Sequence, residues 1–221
     1  SSDQLLFRQV LYVSFLDSLA ACIYPKRSNK ERFIALLEEF ANWKYAHNYC
    51  FVHLAKFTSI TSDPIFRNLR QFVQEEVKDW PNKVNGLGII RLENLPDKER
   101  VKSCWNHTFK TSGEKSVNIE DFKYSNLMYM LRNSLVHQFQ GKGSEMGTGI
   151  PKNEPYYQLY KGFDESLKLT PNSIELVFPT PMLQTICKDA LKNVCTYLRE
   201  GNINPHPYYY SGDYWLNHLN G

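Results

Sequence analysis

Three long segments of the sequence repeat apolar residues at helical spacing. They span residues 3–23, 119–140 and 180–199. An apolar stripe along a helix has to be buried against other elements of the fold. Only the residues from about 156 to 178 alternate apolar and polar side chains in the way that strands do. The sequence therefore predicts a mainly α-helical fold, an antiparallel helical bundle that carries a small antiparallel β appendage.

Turn and cap residues divide the chain further. Asn29 is expected to cap one helix, and Asp63 to cap another whose first helical residue is Pro64. Thr180 is the expected cap of the last helix, and Gly141 the expected end of the helix before the β appendage. The remaining predicted elements are helices over 29–42, 63–79 and 96–105, an irregular region over 43–62, a loop over 81–90, and strands over 156–161, 165–169 and 173–178.

The 221 residues suit one large domain and show no internal repeat. We expect a single domain over 1–221, with the β insertion at about 155–179. The C-terminal tail, residues 201–221, is rich in aromatic and turn-forming residues and is expected to pack across the bundle.

Charge and cysteine usage exclude several classes of protein. The net charge of +3 permits an anionic partner without requiring one. The five scattered cysteines and the absence of a signal-like N-terminus favour a reduced, cytoplasmic protein without a membrane span. Cys104 and His107 are spaced like half of a zinc site, but no second half follows, so we expect no metal and no cofactor.

Residues 128–143, MYMLRNSLVHQFQGKG, place polar side chains inside an apolar helix. At about 100° per residue, Asn133 and His137 share a stripe with Tyr129 beside them, whereas Arg132 lies about 140° from His137. The apolar residue Met130 flanks this stripe. We therefore expect Tyr129, Asn133 and His137 to form a polar seam that contacts another surface. Leu127, Met128, Leu131, Leu135 and Phe139 form the expected core face.

An ordinary explanation of this seam is structural. Arg132 would pair with a carboxylate, and Asn133 and His137 would bond to neighbouring backbone. A second explanation comes from a resemblance. RNSLVH, residues 132–137, resembles the R-x4-H motif of the HEPN superfamily, in which a polar residue follows the arginine and the motif lies on a late helix of a helical bundle. YPKRSNKERF, residues 24–33, is similar to segments of uncharacterised bacterial HEPN-like proteins, and the resemblance extends over residues 3–199.

The resemblance implies a metal-independent endoribonuclease that works as a homodimer, with the two motifs facing each other across a cleft. RNA supplies the 2′-hydroxyl nucleophile, His137 would transfer the proton, and Arg132 would hold the scissile phosphate. Asn133 would orient the imidazole or the phosphate, and Tyr129 would contact the substrate. Many HEPN proteins act in toxin–antitoxin or phage-defence systems, so an antitoxin or another defence protein is a further expected partner.

The chain departs from one HEPN pattern, and a lysine after the motif is a further candidate site residue. Some HEPN toxins carry a modified tyrosine two residues after the histidine, but this chain has Phe139 there. Lys142, in the glycine-rich stretch that follows, either guides RNA phosphates towards the site or lies in a plain loop. The alternatives to the nuclease are a non-catalytic HEPN-like domain that binds a nucleotide, RNA or a protein, and an unrelated helical scaffold.

Overall fold

The structure, a computed structural model, describes residues 2–105, 109–110, 116–141, 153–160 and 173–205. Helices dominate these ranges, which confirms the mainly α-helical fold with a small antiparallel sheet. The helices are α1 (Ser2–Ile23), α2 (Asn29–Glu39), α3 (Phe51–Ile60), α4 (Arg67–Lys83), α5 (Lys98–Cys104), α6 (Tyr124–Gln138) and α7 (Thr180–Glu200). The strands are β1 (Ile89–Arg91), β2 (Phe109–Lys110), β3 (Ser116–Val117), β4 (Tyr156–Tyr160) and β5 (Ser173–Val177).

Helix α1 lies at the centre of the helical part and packs against α2, α6 and α7. Val13, Leu16 and Ala20 recur at intervals of three and four residues and are fully buried. The predicted helical stripe is therefore the stripe that the fold buries, and it brings α1 alongside α6.

Helix α1 is also the one helix among the described residues that is long and apolar enough to cross a membrane. Its mean hydropathy is 1.4 over Gln4–Ile23. Length and composition cannot distinguish a spanning helix from a core helix or a signal sequence. One side of α1 is packed in the helical core, whereas Phe7 and Leu11 on another side are exposed.

The sheet extends beyond the predicted β appendage. Strands β4 and β5 pair antiparallel, as expected, and β1 adds an antiparallel strand on the other edge of β4. The expected loop over 81–90 therefore contains the start of β1, and β2 and β3 form a separate ribbon. The expectation of a sheet confined to about 155–179 was therefore wrong. The sequence did not reveal β1, because a strand of three residues is too short to show alternation. The predicted strand over 165–169 lies outside the described residues.

Helix boundaries differ from the predictions where side-chain capping or packing decides them. Ser28, rather than Asn29, caps α2, and its side chain forms a reciprocal capping box with Glu31. The side chain of Asp63 caps the turn that begins at Pro64, as expected, although α4 proper starts at Arg67 and runs on beyond 79. Part of the expected irregular region is helix α3, whose buried face includes Phe51, Leu54 and Phe57.

Three further boundaries concern the helices next to the β appendage. Helix α6 is shorter than the predicted 119–140, because a separate short turn covers Ile119–Phe122. Its last residue is Gln138, because Phe139 adopts a left-handed conformation with φ of 51° and stops the helix before Gly141. Thr180 is the first residue of α7 and not its cap.

A chain of buried polar groups joins the sheet to two helices. The hydroxyl of Tyr157 on β4 accepts a hydrogen bond from the Phe51 backbone N–H at 2.8 Å, and it lies 2.6 Å from the Tyr124 hydroxyl. It donates to the Cys50 sulfur at 3.6 Å. Burial raises the pKa of the Cys50 thiol to about 11, so this thiol is neutral near pH 7. The network therefore fixes the starts of α3 and α6 against the sheet without a buried charge.

Replacement of Tyr157 by Phe tests this junction. We expect Tyr157→Phe to lower the free energy of unfolding by about 1–3 kcal/mol, because it leaves the Phe51 N–H and the Tyr124 hydroxyl without their partner. Urea unfolding measures the change. Tyr197→Phe is the matched control, since Tyr197 is 45% exposed. Equal stability of the two variants would contradict the role given to the network.

Candidate functional site

The second half of α6 brings three polar side chains into one place. Arg132 Nη1 donates to Asn133 Oδ1 at 2.9 Å and lies 3.3 Å from His137 Nε2. The long arginine side chain thus spans, within one chain, the wide angle that separates Arg132 from His137 on the helix. The polar seam expected from the sequence is a hydrogen-bonded cluster.

A carboxylate on α1 holds the other edge of the Arg132 guanidinium. Arg132 Nη2 donates to Asp17 Oδ2 at 2.7 Å, and the two side chains are only 10% and 17% exposed. Arg32 Nη2 on α2 lies 3.9 Å from the same oxygen. One carboxylate therefore faces two guanidinium groups, and the ion pair connects three helices.

The cluster opens onto a cleft of about 380 Å³. Its walls include Asn29, Tyr129, Met130, Arg132, Asn133 and His137. Arg132 is 8% exposed. His137 is exposed, and Asn133 and Tyr129 are half-buried. A molecule entering the cleft therefore meets the imidazole first and the anchored guanidinium behind it.

Packing fixes Tyr129 at one wall of the cleft. Its ring centroid lies 5.8 Å from that of Phe33 on α2, with the rings tilted by 57°. Phe33 is fully buried, so the tyrosine ring is supported from below while part of it remains accessible. This position suits a residue that contacts a ligand in the cleft.

The arrangement joins a proton-transfer group to a fixed cation. A guanidinium carries donors only, so the contact at 3.3 Å makes His137 Nε2 the acceptor, with its lone pair directed at Arg132. An anion that attracts the guanidinium releases that lone pair to take a proton. The cleft can therefore bind an anionic group and transfer a proton beside it.

The structure places four of the five predicted site residues, Tyr129, Arg132, Asn133 and His137, around one cleft. Lys142 lies outside the described residues. Phe139 is 60% exposed, so its expected place on the core face was wrong. Because the helix ends there in a left-handed turn, the side chain leaves the direction that α6 would give it.

The sequence did not lead us to expect Asp17, Arg32 or Asn29 at the site. Asp17 did leave a trace in the sequence, because it is the only acidic residue between Gln4 and Ile23 on an otherwise apolar helix. A lone acid in such a helix indicates a buried cationic partner. Across the parts of the chain that the structure describes, no group of three or more His, Cys, Asp or Glu residues could hold a metal ion.

Comparison of the chain with protein-family models, with curated proteins and with solved structures gives no match. The geometry of the cleft and the chemistry of its residues are therefore the features that bear on function.

Replacement of Asp17 tests whether the ion pair supports the fold as well as the site. We expect Asp17→Asn to lower the free energy of unfolding by roughly 3 kcal/mol, because it leaves the Arg132 guanidinium buried without a counter-charge. Asp79→Asn is the control, since the Asp79 carboxylate is 51% exposed beside Lys83 and solvent screens such surface pairs. Denaturant unfolding of both variants decides the matter, and an unchanged Asp17→Asn protein would contradict the assignment.

Proposed function

We propose that the protein is an endoribonuclease of the HEPN type that cleaves RNA without a metal ion. The observation that carries the proposal is the position of an exposed imidazole 3.3 Å from a buried, anchored guanidinium in one cleft. The spacing of these residues also matches the R-x4-H motif. Their chemistry suits a reaction in which the substrate brings its own nucleophile.

In the proposed reaction His137 acts as the general base. Its Nε2 takes the proton of the ribose 2′-hydroxyl, and the 2′-oxygen forms a bond to the adjacent phosphorus. The bond between phosphorus and the 5′-oxygen breaks, and the leaving oxygen takes a proton from solvent. The products are a 2′,3′-cyclic phosphate and a 5′-hydroxyl end.

Arg132 stabilises the charge that develops on the phosphate. Asp17 holds Nη2 on one edge of the guanidinium, and Asn133 and His137 hold Nη1 on the other edge beside the cleft before substrate arrives. A substrate phosphate would therefore take the place of one of these two Nη1 contacts. Such preorganised donors lower the barrier because they need little rearrangement as charge develops. Asn133, bonded to the same Nη1, keeps this edge in place beside the imidazole.

The active form in this proposal is a homodimer. Met130 is 42% exposed and Phe139 is 60% exposed, and both lie on or directly after the motif helix. Large apolar side chains beside a polar cleft are typical of a surface that another protein covers. A second copy there would set two motifs across a shared cleft. A cytoplasmic toxin–antitoxin or phage-defence system is the proposed setting, in which an antitoxin would be a further partner.

One observation favours the alternative, a HEPN-like domain that binds a nucleotide, RNA or a protein without cleaving it. Arg132 already bonds to Asp17 and Asn133, and it occupies the lone pair of His137. A residue committed in this way can serve the fold alone. Loss of the imidazole separates the two proposals, since only the nuclease depends on it for turnover.

Replacement of His137 is the sharpest test of the nuclease. We expect wild-type protein to cleave RNA in the presence of a chelator, and His137→Ala to lower the cleavage rate roughly 10²–10⁴-fold. The melting temperature should not change, because His137 is exposed. His47→Ala is the matched control, since His47 is 42% exposed and lies outside the cleft. Equal rates for wild type and His137→Ala would exclude this mechanism.

Arg132 needs a more conservative change, because its burial means that Arg132→Ala would alter the fold as well as the chemistry. Arg132→Lys keeps a positive charge for Asp17 but loses the paired donors of the guanidinium. We expect a large loss of cleavage with a much smaller loss of stability. Measurement of both quantities on one preparation distinguishes this result from simple unfolding.

The dimer is tested at Phe139. Asparagine tolerates the left-handed backbone of this position, so Phe139→Asn removes the aromatic ring while keeping the helix end. We expect wild-type protein to sediment as a dimer, and Phe139→Asn to shift towards monomer and lose activity in parallel. Leu87→Asn, at a site 62% exposed in a distant loop, should do neither. A fully active wild-type monomer would contradict the proposed assembly.

A further inference from the structure

A second and larger cavity borders α6, the helix that carries the R-x4-H motif. It has a volume of about 590 Å³ and is bounded by residues of α2, α3, α6, β5 and the short turn Ile119–Phe122, together with Phe178 after β5. Apolar side chains make up most of its wall: Val52, Leu127, Met130, Ile174, Leu176 and Phe178. A concave, mainly apolar site with a few polar groups is the common form of a small-ligand pocket.

The cavity and the motif cleft are neighbours. Met130 lines both, and the adjoining residues Asn29 and Lys30 at the start of α2 line the cleft and the cavity respectively. Met130 precedes His137 by seven residues, which corresponds to about 10 Å along the helix. Because Met130 lines both sites, a ligand whose phosphate lies at Arg132 can extend a neighbouring group into the cavity.

Polar groups in the cavity distinguish its ligand from a plain hydrocarbon. Asn126 is 6% exposed; its Nδ2 donates to the Asp121 carbonyl oxygen at 3.0 Å, and its Oδ1 has no partner among the described residues. Lys30 Nζ lies 3.7 Å from Asp121 Oδ1, and both side chains are about half exposed. An acyl chain would cover this ion pair without giving it hydrogen bonds, which is unfavourable.

A nucleobase matches both the apolar wall of the cavity and its polar groups. Its flat faces pack against aliphatic and aromatic side chains, and its edge carries hydrogen-bond donors and acceptors. The cavity volume of about 590 Å³ is ample for one base. A rotation of the Asn126 amide, which gives up its bond to the Asp121 carbonyl oxygen, would present the buried Oδ1 to a donor on that edge.

We propose that this cavity is a nucleobase subsite. It would take the base of the nucleotide next to the scissile phosphate, and this assignment rests on the proposed nuclease function. A free nucleotide carries the same base as an RNA strand, so the experiment below measures the binding of both.

The test fills the cavity from α3. Val52→Trp places an indole in the cavity without changing any residue of the motif cleft, and Ile60→Trp, at a site 71% exposed on the same helix, is the matched control. Binding of short homopolymeric RNAs and of the four nucleoside monophosphates is measured by titration calorimetry, with His137→Ala as the background so that RNA is not consumed. We expect Val52→Trp to weaken RNA binding about tenfold and Ile60→Trp to leave it unchanged.

The two arms of the experiment separate the sources of the base. If Val52→Trp abolishes the binding of nucleoside monophosphates as well as weakening that of RNA, the cavity also accepts free nucleotides. If Val52→Trp weakens only the binding of RNA, the cavity takes a base of the RNA strand. Unchanged binding of RNA and of monophosphates in Val52→Trp would overturn the subsite. Ile174→Trp fills the cavity from β5 and serves in its place if Val52→Trp does not fold.

The nuclease and the subsite can fail separately. If wild-type protein does not cleave RNA but binds it in a manner sensitive to Val52→Trp, the subsite stands and the nuclease is refuted. If cleavage depends on His137 while Val52→Trp changes neither affinity nor the positions of cleavage, the nuclease stands and the subsite is refuted.

Discussion

The ion pair between Asp17 and Arg132 is the interaction on which the site and much of the helical core depend. Both charges are largely removed from water, and the cost of desolvating them is offset only while they remain together. The pair holds α1 against α6, and Arg32 brings α2 to the same carboxylate. The geometry of the cleft is therefore fixed by the packing of three helices and not by α6 alone.

In the proposed mechanism this arrangement gives Arg132 two roles at once. Toward α1 it is a structural residue, buried and paired, as the ordinary explanation of the sequence expects. Toward the cleft it presents Nη1 to Asn133 and His137, and the proposed mechanism uses this same nitrogen to bind the phosphate. The structural and catalytic explanations of this arginine are compatible, so an effect of its loss on stability does not argue against catalysis. His137 is exposed and carries no comparable structural load, and it is the residue at which the two explanations make different predictions.

The sequence predicts the parts of this molecule that depend on local periodicity. The long apolar stripes become α1, α6 and α7, and the alternating segment supplies β4 and β5. It fails where a partner distant in sequence decides the outcome: β1 is a strand because β4 lies beside it. At the site, the positions of Asn133 and His137 follow from helical spacing, whereas the conformation of Arg132 depends on Asp17, 115 residues away. The angle of about 140° between Arg132 and His137 describes where their backbones lie on an ideal helix. It does not describe the ends of the side chains, and the long Arg132 side chain reaches His137 across it.

The central claim is that His137 and Arg132 use the 2′-hydroxyl of RNA as the nucleophile. The most direct measurement compares one RNA sequence with its all-2′-deoxy counterpart, incubated with wild-type protein in the presence of a chelator. We expect the RNA to be cut to products with 2′,3′-cyclic phosphate ends, identified by mass spectrometry, and the deoxy strand to remain intact. Cleavage of the deoxy strand at a similar rate, or products ending in a 3′-hydroxyl, would contradict it.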